Sequence, residues 1–117
     1  MITVADIVDK LALQVRTGTG TLRDRPVTGG YASDLLSCVM AGARKGDVWV
    51  TLQAHPNVIA VAVLLELAAV IITEGAQPDP ETLKKAEAED VPVLTTTDNT
   101  YVVVTKLAAL GVLGASS

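Results

Sequence analysis

Apolar positions along the chain switch between a helical period and short continuous runs, and that alternation predicts the order of elements. Thr3 suits a helix N-cap, and Asp6 puts a carboxylate near the N-terminal dipole. Ile2 and Ile7 stand at staple spacing, and Ile7, Val8 and Leu11 make the apolar stripe. Residues 13–16 read as a short strand, 17–24 as a polar loop, and 26–31 as a β-like stretch around two glycines. The next helix is capped by Ser33 or Asp34, with Leu35, Leu36, Val39 and Met40 as its buried face. Arg44 and Lys45 sit where the dipole favours cations, and Gly46 stops it.

Residues 48–52 form a clear strand. After a polar connection, Pro56 suits a first helical position with His55 as the preceding cap, and the helix runs to about residue 67. A β-branched strand at 70–73, a charged helix at 81–90 started by Asp79-Pro80-Glu81, and a strand at 91–94 follow. The run Val102-Val103-Val104 prefers strand by propensity. Asp98, Leu107, Leu110 and Gly111 nevertheless fit one helical frame, so the segment is read as a helix capped by Asp98. Strands alternating with helices over short connections imply right-handed parallel crossovers. The predicted fold is α/β, a three-layer α/β/α sandwich with a mostly parallel sheet. One domain is expected over residues 1–117, with its core at about 4–111 and a flexible tail at 112–117.

Composition narrows the class. Half of the residues are hydrophobic, mostly aliphatic, with no Phe and one Trp, which suits a buried parallel sheet. The net charge is −4 and the basic residues are scattered, which argues against a nucleic-acid partner. A mean hydropathy of +0.44 is high for a small domain, and a homodimer is expected that covers apolar surface near Trp49 or on the Ala-rich helices. Cys38 is the single cysteine and lies among apolar residues, so it is read as a buried structural thiol. The longest apolar run, 58–72, is interrupted by Glu66 and is shorter than the roughly 20 residues a membrane span needs. No signal peptide is visible, so a cytoplasmic protein with no membrane partner is expected.

In an open parallel sheet, ligands bind at the carboxyl ends of the strands. Those ends carry residues 53–57, 73–75 and 96–99, which places His55, Asn57, Thr97 and Asp98 along one edge. If Thr28, Gly29 and Gly30 share that edge, all of these residues form one polar pocket. Two readings stand for the glycine pair. It either admits an anion to backbone amides beside Arg23 and Arg25, or makes a turn with no ligand. Two readings stand for His55 as well: an imidazole that satisfies a backbone amide, or a ligand contact and proton carrier. Catalysis would require a carboxylate from Asp98 or Glu74 beside it. With one His and one Cys, no metal site built from those residues fits one subunit, and no cofactor is expected. Gly18-Thr19-Gly20 lacks the third glycine of a dinucleotide fingerprint, and residues 42–47 lack the Gly-Lys-Ser/Thr ending of a phosphate loop.

The stretch Asp24-Arg25-Pro26-Val27-Thr28-Gly29-Gly30, followed by Tyr31-Ala32-Ser33-Asp34-Leu35-Leu36-Ser37, resembles the motif that names the DRTGG domain. Residues 46–57 are similar to the second characteristic block of that family. The resemblance covers nearly the whole chain, from residue 4 to residue 111. It implies a fold like the N-terminal domain of HPr kinase/phosphorylase. Such domains stand alone, beside phosphate acetyltransferase domains, or between CBS domains of regulatory pyrophosphatases, with no catalysis assigned to them. Asp24, Arg25, Thr28, Gly29 and Gly30 carry over as motif positions only. The resemblance therefore implies a non-catalytic regulatory or interaction domain that serves a protein partner or a nucleotide or phosphorylated metabolite. The alternatives are a small enzyme built on His55 and a structural subunit of a larger complex.

Overall fold

The computed structural model describes residues 1–115. Helix α1, Val4–Leu11, opens on a capping box: Asp6 N donates to Thr3 Oγ1 at 3.3 Å, and Thr3 N donates to Asp6 Oδ2 at 2.8 Å. Val4, Ile7 and Leu11 form its buried stripe. Strand β1, Gln14–Val15, follows, and then a 3-10 helix at Thr19–Asp24 stands where a loop is expected. Strand β2 is Gly29–Ala32, helix α2 is Leu36–Gly42, and strand β3 is Asp47–Thr51. The chain continues as α3, Asn57–Leu64, β4, Ala69–Ile72, α4, Pro80–Glu89, β5, Val93–Thr95, and α5, Thr100–Ala109.

The five strands lie in the order β1-β5-β4-β3-β2. The β2–β3, β3–β4 and β4–β5 pairs are parallel, and β1 runs antiparallel to β5. The architecture is the expected α/β/α sandwich with a mostly parallel sheet. Strand alternation divides the core in two. Val48, Val50, Ile71 and Leu94 pack under α1 and α5, against Ile7, Val103 and Leu107. Trp49, Val70, Ile72 and Val93 pack under α2, α3 and α4, against Val39, Ile59 and Ala86. Crossovers that advance one strand at a time put α2, α3 and α4 on one face, and only after β5 does the chain leave to the other. The helix over 102–104 forms despite its propensity, because Val103 and Leu107 bury one turn apart.

Several expectations are corrected. Asn99, not Asp98, caps α5, accepting from Val102 N at 2.9 Å. Neither Ser33 nor Asp34 caps α2. Leu35 holds that position, because Asp34 Oδ1 is engaged by Thr51 Oγ1 at 2.9 Å and Leu52 N at 2.8 Å. Helix α2 covers the edge strand, with little sheet beneath it. Val39 is buried there, while Leu35, Met40 and Cys38 are exposed, so Cys38 is not a buried thiol. Helix α2 ends at Gly42, and Gly46, at φ +85°, forms the turn into β3 instead. Helix α3 ends at Leu64 rather than near 67, and Glu66 turns the chain at φ 55°. Trp49 is fully buried, its indole donating to Ser33 O at 2.9 Å, so it offers no surface to a partner. The expected flexible tail starts with docked residues: Val112 is buried, and Leu113 O accepts from Gly30 N at 3.2 Å. Ser116 and Ser117 of that tail lie outside the described residues.

Candidate functional site

The carboxyl ends of β3, β4 and β5 lie along one edge, as the topology requires. The segment after β4 ties the neighbouring loops together. Glu74 N donates to Asp98 O and Gly75 N to Thr96 O, while Asp79 N donates to Ala54 O. Glu74 Oε2 accepts from Thr100 N at 2.8 Å, and the Thr73 and Thr100 hydroxyls meet at 3.0 Å. The edge thereby holds two separate depressions. One, of about 200 Å³, is lined by Leu36, Gln53, His55, Asn57 and Val58. The other, of about 240 Å³, is lined by Ala12, Gln14, Gly75, Gln77 and Thr95, Thr96 and Thr97.

His55 and Asn57 therefore share one depression and Thr97 lies in the other. Asp98 lines neither, and its Oδ2 accepts from Lys106 Nζ at 2.9 Å. The His55 imidazole is exposed, and its Nδ1 accepts from Asn57 N at 3.1 Å. That contact is the backbone-satisfying role of a residue at a helix start. The two carboxylates that a catalytic reading would pair with His55 are held elsewhere, Asp98 by Lys106 and Glu74 by the Thr100 amide.

Thr28, Gly29 and Gly30 do not join this edge. Gly29 pairs with Asp47, the first residue of β3, so the motif marks the amino end of β2. Its residues are committed to the fold. Thr28 N donates to Gly46 O at 3.0 Å, and Thr28 Oγ1 to Lys45 O at 3.3 Å. Gly30 lies in the ladder opposite Val48. Arg25 donates to the Asp90 carbonyl at the left-handed end of α4, and lies 3.5 Å from the Asp90 carboxylate. Asp24 and Arg23 are exposed near the end of the 3-10 helix.

Sequence reasoning missed Gln14 and Gln77 beside the threonines, and Arg16 bound to Gln77. Arg16 NH1 donates to Gln77 Oε1 at 2.8 Å across 61 positions of sequence. A two-residue strand gives no hint of its antiparallel pairing, so nothing in the pattern brings Gln14 opposite Thr95. The usable signal was the Thr95-Thr96-Thr97 run itself, hydroxyls clustered at a strand end.

The DRTGG domain model matches residues 6–110. The chain belongs to the DRTGG domain family. No curated protein matches the sequence. Among solved structures, the chain is similar to the CBS and DRTGG domains of the regulatory region of Clostridium perfringens pyrophosphatase, a complex with the activator diadenosine tetraphosphate. That match has a TM-score of 0.68 at 15% identity and covers 90% of this chain. At such identity the likeness speaks for the fold alone. The match spans 45% of the pyrophosphatase chain, less than half of its length. No helix among the described residues of this DRTGG domain is long and apolar enough to cross a membrane.

Proposed function

We propose that this DRTGG domain is a non-catalytic regulatory module that pairs with a second copy of itself. In this reading it senses a nucleotide or phosphorylated metabolite at the strand-end edge. The observation that carries it is the two-part polar edge itself, on a family fold whose solved neighbour belongs to a regulatory region held with a nucleotide activator. His55, Asn57 and Thr97 supply polar contacts there, and Asp98 braces the loop through Lys106. The catalytic alternative is disfavoured because the His55 Nδ1 lone pair is spent on the Asn57 amide and no carboxylate among the described residues orients the ring.

Pairing is supported by α3. After Asn57, its sequence from Val58 to Leu64 is apolar all round, as in a helix buried on every side. Val58, Ile59 and Ala62 are buried, whereas Ala60, Val63 and Leu64 are exposed, Leu64 to 65%. A second copy laid on that face would remove this apolar area from water.

The test is a thermal-shift panel of nucleotides, diadenosine tetraphosphate, acyl phosphates and plain anions on the purified chain. A ligand that raises the melting point at micromolar concentration supports sensing, because binding to the native state stabilises by mass action. A flat panel overturns it. A light-scattering mass of one chain overturns the pairing.

A further inference from the structure

We infer that the cleft between Gln14, Gly75, Gln77 and the Thr95–Thr97 run is a phosphate-binding site, with Arg16 as its counter-charge. The inference rests on the sensing reading and sharpens it. The cleft belongs to the edge already described, but its polar equipment is separate from His55 and Asn57.

Three observations converge on this cleft. The first is position. The connection after β4 leads to α4 on one face of the sheet, and the connection after β5 leads to α5 on the other. Open α/β sheets bind ligands beside the strand ends at which successive connections part in this way. Gly75 follows β4, and Thr96 and Thr97 follow β5, so the cleft opens at that parting.

The second is a buried hydroxyl that is poorly satisfied. Thr95 is 4% exposed and lines the cleft. The partner of its Oγ1 is Gln14 Oε1 at 3.5 Å, the long limit of a hydrogen bond. A hydroxyl carries one donor and two acceptor sites, so a ligand oxygen in the cleft would complete it.

The third is charge. The ion pairs among the described residues are Arg25–Asp90, Lys45–Glu66 and Lys106–Asp98. Arg16 is in none of them, although it is half-buried in a chain of net charge −4. Its guanidinium is oriented by Gln77, which itself lines the cleft, and one amide oxygen leaves most of the five guanidinium donors unused. A guanidinium held by one residue of a cleft lined with hydroxyls and primary amides fits a tetrahedral anion with several acceptor oxygens. The volume of about 240 Å³ takes a phosphate with part of the group it is attached to.

The experiment titrates the full chain, isotopically labelled, with pyrophosphate and separately with adenosine monophosphate, following backbone amide shifts. Saturable shifts at Gly75, Thr96 and Thr97 with both probes are expected. A response to the nucleotide alone at these amides would mean that the base is read there, and it would overturn the phosphoryl assignment. Arg16→Gln is expected to weaken pyrophosphate about tenfold or more, as loss of a charge-assisted bond should. Thr97→Val, an exposed and nearly isosteric change, is expected to weaken it less and to leave the melting point in place. Undiminished affinity in both variants overturns the site. Shifts confined to residues 53–57 also overturn it but leave sensing intact at the other depression. No saturable shift with either probe overturns the site as well, and the nucleotide panel then decides separately whether sensing stands.

Discussion

The place a side chain would take at Gly29 is filled by the carboxylate of Asp47. A Cβ there would lie 2.7 Å from Asp47 Oδ1 and 3.1 Å from Leu113 O. The carboxylate cannot swing away freely, because its Oδ2 accepts from Arg44 N at 2.8 Å and closes the turn before β3. Gly30 differs: a Cβ there meets atoms only at 3.6 Å and beyond. Gly29→Ala should therefore cost about 1–3 kcal/mol of stability, as overpacking does. Gly30→Ala should stay within about 0.5 kcal/mol of the parent. Urea unfolding of the two variants checks this, and coincident midpoints would remove the close approach as the reason for a glycine at position 29.

Arg25 acts on the end of α4. Its guanidinium donates to the Asp90 carbonyl at the left-handed cap, and its Nε donates to Thr21 Oγ1 at 3.3 Å. The Asp90 carboxylate is 59% exposed, so the ion pair itself adds little, and the bond to the carbonyl matters more. Arg25→Ala should lower stability by about 1–2 kcal/mol. Arg25→Lys should recover only part, since an ammonium cannot reach both partners as a fork does. Neither change should alter pyrophosphate affinity in titration calorimetry, because the site sits at the opposite strand ends. A loss of affinity in the lysine variant would tie the motif arginine to the ligand.

Adjacent residues at the start of α5 have different duties. Asn99 Oδ1 satisfies the Val102 amide, whereas the Asp98 carboxylate meets Lys106 at the surface. Asn99→Ala should cost about 1 kcal/mol, the usual loss for a cap. Asp98→Ala should cost under about 1 kcal/mol, and less in high salt. Thermal melts at two ionic strengths separate the two. A larger, salt-sensitive loss for Asp98→Ala would return the cap to Asp98.

The exposed face of α3 gives the pairing its own test. Leu64→Arg places a charge where a second copy would rest, and if the proposed pair forms through this face the variant should be a monomer in light scattering, with far-UV circular dichroism unchanged. Leu64 is 65% exposed in the single chain, so the folded monomer should lose no more than about 0.5 kcal/mol. A dimer that survives the charge would move the interface elsewhere.

Local rules sufficed for much of this fold. The capping box at Thr3 and Asp6 and the Asp79-Pro80 start of α4 are short-range signals, and each element they predict is present. The alternation from residue 47 onward was enough for parallel crossovers, because short connections and handedness leave few other topologies. Burial was less legible. Cys38 and Trp49 have similarly apolar neighbours in sequence, yet one is exposed and the other fully buried. The difference arises because α2 overhangs an edge strand, while β3 is an interior strand paired on both sides by β2 and β4.

What the sequence determined by itself was the order of the main helices and strands, the layered class and the strand ends at which polar loops gather. Those properties follow from periods of two and 3.6, from caps and from chirality, all of which act within a few tens of residues. Only the tertiary structure decided whether the glycine motif joins that edge and how the edge is divided. It put the glycine motif at the amino end of β2, against Asp47, and it brought Gln14 and Gln77, with Arg16 bound to Gln77, to the threonines after β5. The antiparallel addition of β1 to β5 is a long-range pairing of two residues, fixed by what the rest of the sheet leaves open and not by the local pattern of the strand itself.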